Sequence, residues 1–201
     1  MKSKTPHRHG KSVRTSYHHG DARNALLRAA ADLLEQTGAA GLALRQLAER
    51  AGLSRQAPYN HFADKETLLA ELARNGFERL GREIEAVRRS RAKPVVRLAR
   101  AAERYIAFAE RSPALFRLMF SKELMDLSRH AATQAAASAA FQQLAAIVSA
   151  LTSPETEADL SLVAWSLVHG YATLCIEAAL EGPERRSGRA RLFATTIATS
   201  A

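Results

Sequence analysis

The chain has 201 residues, of which 47% are hydrophobic, and its 29 Lys and Arg against 20 Asp and Glu give a formal net charge of +9. This length is sufficient to bury a core without disulfides or a structural metal, and it predicts one or two domains. The lone cysteine, Cys175, excludes an intramolecular disulfide and a cysteine-based zinc site. We expect no membrane span, because no apolar run reaches the roughly 18 residues needed, and no signal peptide.

The excess positive charge is concentrated near the N-terminus. Residues 1–65 hold 11 basic and 5 acidic residues, whereas residues 66–201 hold 18 and 15. A localised positive footprint of this kind suits a nucleic-acid partner. A basic tail on an ordinary soluble protein would give the same counts, so charge alone leaves both interpretations open.

Residues 1–20 form the most basic segment, with no acidic side chain and with four of the seven histidines. Because this segment lacks apolar periodicity, we predict a disordered basic arm. Beside a DNA-binding domain such an arm follows phosphates or enters a minor groove. The histidines have no cluster of cysteines or carboxylates to complete a metal shell, so no metal site is predicted.

The rest of the chain favours an all-α fold, because Ala and Leu dominate and β-branched and aromatic residues are sparse. Apolar residues at 3.6-residue spacing predict a series of helices. Asp21 is the expected N-cap of the first helix and Gly38 its end. Asp64 is the expected cap of the fourth, preceded by Phe62 as a core anchor. The predicted helices cover 21–37, 44–51, 55–61, 65–89, 94–111, 113–120, 129–151, from 155 to about 181, and 187–199.

The eighth predicted helix contains the segment LSLVAWSLVHGYATLCIEAAL, which is apolar on nearly every face. A helix of this composition is expected to be buried on all sides.

Residues 44–66, LRQLAERAGLSRQAPYNHFADKE, have the pattern of a helix-turn-helix. Gly52 is predicted to form the turn, and Leu53 is predicted to place an apolar side chain between the two helices. Ser54 is the expected cap of the second helix. Pro58 fits in the first turn, where backbone N–H groups have no partner within the helix. An ordinary helical hairpin with a polar surface is the alternative interpretation.

The outward face of the second helix of this motif carries polar side chains that suit DNA. An arginine such as Arg55 can bond guanine through O6 and N7, and Gln56 and Asn60 can bond adenine through N6 and N7. Tyr, Ser, Lys and helix N-termini suit phosphates, which fix register without reading sequence. Base reading is therefore predicted for Arg55, Gln56 and Asn60.

Residues 21–72 closely resemble the DNA-binding domain of the TetR/AcrR family of transcriptional regulators. The matching segments are ALLRAAADLLEQTG, LRQLAERAGLS and YNHFADKETLL, in which the tyrosine, the HF pair and K-E-x-L-L have highly specific spacing. WSLVHG at 165–170 resembles the Trp-His-Gly signature of a TetR-type C-terminal domain. The resemblance spans about 17–201.

The resemblance implies further DNA contacts. It makes Arg45 a groove or phosphate contact at the start of the second helix. It implies phosphate contacts at Ser54, Tyr59, His61 and Lys65. One departure is Ala43, where many members have a capping Ser or Thr; this removes a cap worth about 1 kcal/mol and a possible phosphate contact.

The resemblance also implies an N-terminal DNA-binding domain at 21–66 and a helical effector-binding and dimerisation domain at 67–201. In such proteins a small molecule occupies a helical pocket, and the last two long helices pair in a homodimer. His169, one turn after Trp165, suits either a ligand contact or a hydrogen-bonded core histidine. Methionines and aromatic residues at helical spacing also suit a plain core. The candidate pocket residues are Tyr105, Phe108, Phe116, Met119, Phe120, Met125, Trp165, His169 and Cys175.

Together these observations predict a cytoplasmic, homodimeric repressor that a small-molecule effector releases from operator DNA. Its two recognition helices would enter major grooves about 34–36 Å apart. The alternative is a helical nucleic-acid-binding or adaptor protein that senses no ligand. No enzyme activity, cofactor or metal is predicted, because the sequence lacks a Ser-His-Asp set, a carboxylate pair, a Gly-rich phosphate loop and an HExxH motif.

Overall fold

The computed structural model describes residues 19–177 and 186–199, and all regular structure within these ranges is helical, as predicted. A 3-10 turn at Leu127–Arg129 separates the sixth and seventh helices. Most of the predicted basic arm lies outside the described residues. The eighth helix ends at Ile176, with Glu177 as its C-cap, before the predicted end near 181, and 181 itself is outside the described residues. The helices are α1 (His19–Gly41), α2 (Leu44–Arg50), α3 (Ala57–His61), α4 (Lys65–Arg88), α5 (Pro94–Arg111), α6 (Pro113–Phe120), α7 (Ala131–Val148), α8 (Glu157–Ile176) and α9 (Arg186–Thr199).

The first helix differs from its prediction at both ends. Because α1 begins at His19, Asp21 lies inside its first turn and is not its N-cap. Capping preference biases where a helix starts but does not prevent a further turn. Gly38 breaks the helical geometry, as predicted, with φ 69° and ψ 174°, but helical turns continue to Gly41. This left-handed φ favours glycine, which has no β-carbon to crowd the backbone.

The first three helices pack around a small apolar core. The inward face of α1 includes Leu26 and Leu34, which are 0% and 1% exposed. Leu47 of α2 is fully buried against the same cluster. Phe62, directly after α3, is 1% exposed, and the guanidinium of Arg23 lies 5.4 Å from the centre of its ring. Phe62 is therefore the predicted anchor that joins α3 to α1.

The fourth helix connects this N-terminal unit to the rest of the protein. Asp64 is its N-cap, as predicted, and accepts a hydrogen bond of 2.7 Å from the Thr67 N–H. That bond lowers the pKa of the Asp64 carboxyl. At 24 residues and 1.5 Å per residue, α4 extends about 36 Å. The predicted domain boundary at 66 falls in its first turn, and the division into 21–66 and 67–201 stays a prediction.

The C-terminal helices pack against α4 and against one another. Helix α7 lies along α4, while α5 packs against α8 and α9. The short helix α6 contacts α1, α4 and α5. The bounds of α5 and α6 are those predicted, because Pro94 and Pro113 each stand in a first helical turn.

The eighth helix is not buried on all sides, which corrects the prediction. Val163 is 45% and Leu174 is 47% exposed, and Leu162 is 53% exposed. The reason is that α5, α7 and α9 contact α8 without enclosing it. By length and composition alone, α8 is also apolar enough to cross a membrane, which was not expected, and 28% of its most apolar 18 residues are buried. Among the residues that the structure describes, α8 therefore presents an exposed apolar face.

We predict that Phe62→Ala lowers the free energy of unfolding by about 3–5 kcal/mol, because it leaves a cavity beneath α3. Urea denaturation followed by circular dichroism measures this change. The control is Tyr59→Ala, whose side chain is 54% exposed and whose loss should change stability by less than about 0.5 kcal/mol. Equal effects of the two substitutions would contradict the anchoring role of Phe62.

Candidate DNA-binding surface and effector cavity

The segment from α2 to α3 has the geometry of a helix-turn-helix. Gly52 adopts φ 64°, and the Leu53 N–H donates a 2.9 Å hydrogen bond to the Ala48 carbonyl. The turn therefore requires the left-handed conformation that glycine adopts most readily. Gly52 thus forms the turn between α2 and α3, as the sequence predicted.

The second helix of the motif is shorter than predicted, because α3 begins at Ala57 and not at Arg55. The Ala57 N–H donates to the Ser54 carbonyl at 2.9 Å, which closes a separate turn before the helix. Gln56 occupies the N-cap position, and α3 has no side-chain cap. Ser54 is thus not a side-chain cap of α3, and Arg55 and Gln56 lie in the turn that precedes it.

This turn and α3 present a polar surface to solvent. Arg55, Gln56 and Asn60 are exposed, and the Tyr59 ring is 54% exposed although it is large and aromatic. His61, at the end of α3, is half-buried. An exposed aromatic hydroxyl beside amide and guanidinium groups matches the chemistry of contacts to bases and phosphates.

Two basic residues beside this surface are held by neighbouring groups. The Arg45 Nε lies 3.6 Å from a Glu49 carboxylate oxygen one turn along α2, and both side chains are mostly exposed. The Lys65 ammonium donates a 3.3 Å hydrogen bond to the Ala40 carbonyl at the end of α1. Exposed pairs of this kind are weak, so an approaching phosphate can compete for either cation.

A cavity of about 330 Å³ lies among α4, α5, α6, α7 and α8. The rings of Phe77, Phe120, Phe141 and Trp165 line it together with aliphatic side chains of α4 and α7. Its volume is at the lower end of the range of small-molecule pockets, about 300–1,000 Å³. The cavity is separate from the helix-turn-helix surface, since none of the residues that line it comes from α1, α2 or α3.

Two side chains of the cavity lining, Tyr105 and Trp165, form a hydrogen-bonded network with His169 behind them. The Trp165 indole N–H donates to the Tyr105 hydroxyl at 3.3 Å, and this hydroxyl lies 2.9 Å from His169 Nδ1. Because indole only donates, the Tyr105 oxygen accepts that bond and its O–H is free to donate to His169. Burial raises the pKa of the Tyr105 hydroxyl and lowers the pKa of the His169 imidazole. The network is therefore uncharged near pH 7.

Comparison with known protein families gives one match for the helix-turn-helix segment and one for the C-terminal helices. Residues 26–72 match the model of bacterial regulatory proteins of the tetR family. Residues 98–199, half of the chain, match the tetracyclin repressor-like C-terminal domain. The chain belongs to the TetR family.

Individual relatives agree with this placement. Fifty residues are 50% identical to the tetracycline repressor protein class A from transposon 1721 of Escherichia coli, over 25% of this chain and 23% of that protein. The nucleoid occlusion factor SlmA of Aliivibrio fischeri is 33% identical over 108 residues, 51% of this chain and 53% of SlmA. This TetR-family chain therefore spans only part of the length of the curated relatives it matches.

Solved structures extend the likeness to nearly the whole chain. A protein of unknown function from Rhodococcus sp. RHA1 superposes with a TM-score of 0.80 and 31% identity, covering 93% of this chain and 98% of that one. The shared architecture thus includes the C-terminal helices and not the helix-turn-helix alone.

The predicted pocket residues of this TetR-family protein fall into three groups. Tyr105, Phe120 and Trp165 line the cavity. Phe116 and His169 form a second layer, in which their rings stack with centroids 5.3 Å apart. The remaining four do not line the cavity. Phe108, Met119 and Met125 are core side chains that are at most 3% exposed. Cys175 lies farther along α8, beside Tyr171.

Several cavity residues were not singled out from the sequence. Phe77, Leu80 and Ile84 have the spacing of an ordinary core stripe on α4, and Phe141 has it on α7. Leu127 lies in the 3-10 turn, where no helical period indicates the side that faces inward. Periodicity shows that such residues point inward, but it does not show whether they meet a neighbour or an open space.

We predict that acid destabilises the folded protein through His169. The lowered pKa means that the folded state binds a proton less readily than the unfolded chain, whose histidines titrate near pH 6.5. The stability is thus fully present above about pH 6.5 and decreases as the pH falls towards the lower pKa of the folded state. Urea denaturation should show a steeper loss below this pH in the wild type than in His169→Asn. Parallel curves would contradict the prediction.

Proposed function

We propose that this TetR-family protein is a cytoplasmic transcriptional repressor that a small-molecule effector releases from its operator DNA. The observation that carries the proposal is the presence in one chain of an exposed helix-turn-helix and a separate cavity of about 330 Å³. An open cavity favours ligand sensing over an adaptor protein with a filled core. Membership of the TetR family supports the role in DNA binding.

At the DNA, Arg55, Gln56 and Asn60 are the proposed base-reading residues. Their exposure and their donors and acceptors fit the edges of guanine and adenine in the major groove. Arg45 is proposed to contact the groove or a phosphate. The proposed phosphate contacts, which set orientation and affinity, are Ser54, Tyr59, His61 and Lys65.

Two copies are proposed to pair through the outward faces of α8 and α9. Val163, Ser166, Gly170 and Leu174 form one exposed stripe on α8, and a β-carbon at Gly170 would meet no other atom within 4 Å. Leu192 on α9 adds an apolar side chain that is 54% exposed. An apolar stripe with a small residue in the middle permits close approach of a second helix. A dimer built on it would place two recognition helices on one operator.

A path from the cavity to the DNA-binding surface is proposed through the 3-10 turn. Leu127 lines the cavity, while Arg129, two residues later, lies 3.0 Å from the Glu66 carboxylate. His130 lies 3.2 Å from the same carboxylate. Glu66 follows Lys65, one of the proposed phosphate contacts. A ligand that displaces Leu127 would therefore pull on the first turn of α4.

A second link joins α6 to α1. The two carboxylate oxygens of Glu35 accept hydrogen bonds of 3.0 Å from the Ala114 and Leu115 N–H groups at the start of α6. Because Phe120 at the other end of α6 lines the cavity, movement of α6 would reach α1 through this contact. Either link produces release only if the effector has different affinities for the DNA-bound and released states.

Selection of bound sequences from a random DNA pool tests the DNA-binding role. The expected outcome is a quasi-palindromic site whose half-sites lie about one helical turn apart. Recovery of no preferred sequence would contradict the proposed function.

We predict that Arg55→Ala weakens binding to the selected operator by about 1–3 kcal/mol and relaxes preference at one base pair. Fluorescence anisotropy at fixed salt measures both changes. The matched control is Arg104→Ala, which removes the same charge from an exposed position on α5 and should leave affinity within about twofold. Unchanged affinity and preference in Arg55→Ala would remove Arg55 from the base-reading set.

We predict that Leu174→Glu disrupts the dimer, because two-fold symmetry places the new carboxylate in the interface twice. The dimer dissociation constant should rise at least about a hundredfold, given the cost of burying unpaired charge. Sedimentation equilibrium measures this constant. The control is Leu124→Glu, at an apolar residue that is 38% exposed but lies between α6 and the 3-10 turn. Equal association of both variants and the wild type would place the interface elsewhere.

A further inference from the structure

We propose that the effector is an uncharged molecule with an apolar, aromatic body and one neutral polar group that stays at the mouth of the cavity. This inference rests on the proposed function, and it adds the chemical class of the ligand. Its basis is the distribution of polar groups around the cavity.

The cavity wall carries no charge in the part of the chain that the structure describes. Its lining contains no Asp, Glu, Lys, Arg or His. The basic residue of the 3-10 turn, Arg129, is paired with the Glu66 carboxylate at 3.0 Å. An ionised ligand would therefore lose its hydration without gaining a counter-ion, which is strongly unfavourable.

Two polar groups of the inner cavity lining, those of Tyr105 and Trp165, are already hydrogen-bonded within the protein. The Tyr105 hydroxyl receives the Trp165 N–H at 3.3 Å and lies 2.9 Å from His169 Nδ1. The Trp165 N–H and the Tyr105 O–H are therefore engaged with protein groups and not with a ligand. The inner part of the site consequently offers faces of rings and aliphatic carbon atoms.

The rings are arranged to receive a planar apolar group. Phe120 and Trp165 lie 6.3 Å apart at 44°, and Phe141 meets Trp165 edge-on at 5.8 Å. Phe77 meets Phe120 edge-on at 5.5 Å. Aromatic side chains bind other aromatic groups best in such offset and edge-to-face arrangements. This geometry favours an aromatic body over a flexible alkyl chain.

Two polar side chains with no hydrogen bond to another described residue lie at the mouth of the cavity. Ser138 and Gln142 line the cavity and are exposed on α7. They lie one helical turn apart, so they border the same opening. A hydroxyl and an amide can each donate and accept, which suits a neutral carbonyl, hydroxyl or amine on the ligand.

Two fluorescent probes that differ in one charged group test the proposal. N-phenyl-1-naphthylamine is neutral, and 8-anilino-1-naphthalenesulfonate carries a sulfonate on the same ring system. We expect the wild type to bind the neutral probe with a dissociation constant at least about tenfold lower, because the sulfonate finds no partner in the cavity. Equal or tighter binding of the sulfonate would overturn the proposal.

Substitutions on α7 show whether the probes report on this cavity. Ala137 lines it, so Ala137→Phe should reduce binding of the neutral probe at least about tenfold by filling space. The matched control, Ala135→Phe, adds the same ring at an exposed position outside the lining and should bind as the wild type does. Unchanged binding in Ala137→Phe would place the probe elsewhere and overturn the assignment.

A third variant tests the role of charge directly and does not depend on blocking the cavity. Ala137→Lys introduces a cation at the wall, and it should lower the dissociation constant of the sulfonate probe relative to that of the neutral probe. An unchanged ratio would contradict the argument from charge. The DNA selection experiment is independent of these titrations, so a selected operator together with equal binding of both probes would reject the ligand class and leave the repressor function standing.

Discussion

The buried face of α4 is the constraint on which the rest of the structure depends. Leu68, Leu72, Phe77, Leu80 and Ile84 are all at most 4% exposed. The first two turns of this face complete the core of the helix-turn-helix unit, and the later turns form the floor of the cavity and the contact with α7. Because closely packed interiors resist small displacements, α4 cannot shift at one end without affecting the other.

Polar contacts hold the first two turns of this helix against the 3-10 turn and α7. Glu66 binds Arg129 and His130 at its first turn, and the buried Thr133 hydroxyl donates to the Ala70 carbonyl at 3.0 Å. The cavity itself has only apolar and neutral polar walls. In the described part of the chain, the ionic groups named above thus orient helices, and no ionic group lines the cavity.

Much of the helical framework could be predicted from local sequence, as α5 and α6 show, because a proline starts each one and Ser112 separates them. The Gly52 turn and the Asp64 cap follow from equally local physics. The start of α3 could not be predicted in this way. A capping serine at 54 looked sufficient, but a separate backbone turn places Arg55 and Gln56 before the helix.

The sequence by itself determined the all-α fold, the helix-turn-helix and the polar residues on its surface, since each depends on neighbours within a few positions. Only the tertiary structure decided which apolar residues surround a space and which fill one. Phe77, Phe120, Phe141 and Trp165 come from four helices, so their meeting at the cavity depends on long-range packing. The same reason applies to α8: its composition indicated a core helix, whereas the number of helices packed around it left one apolar face uncovered.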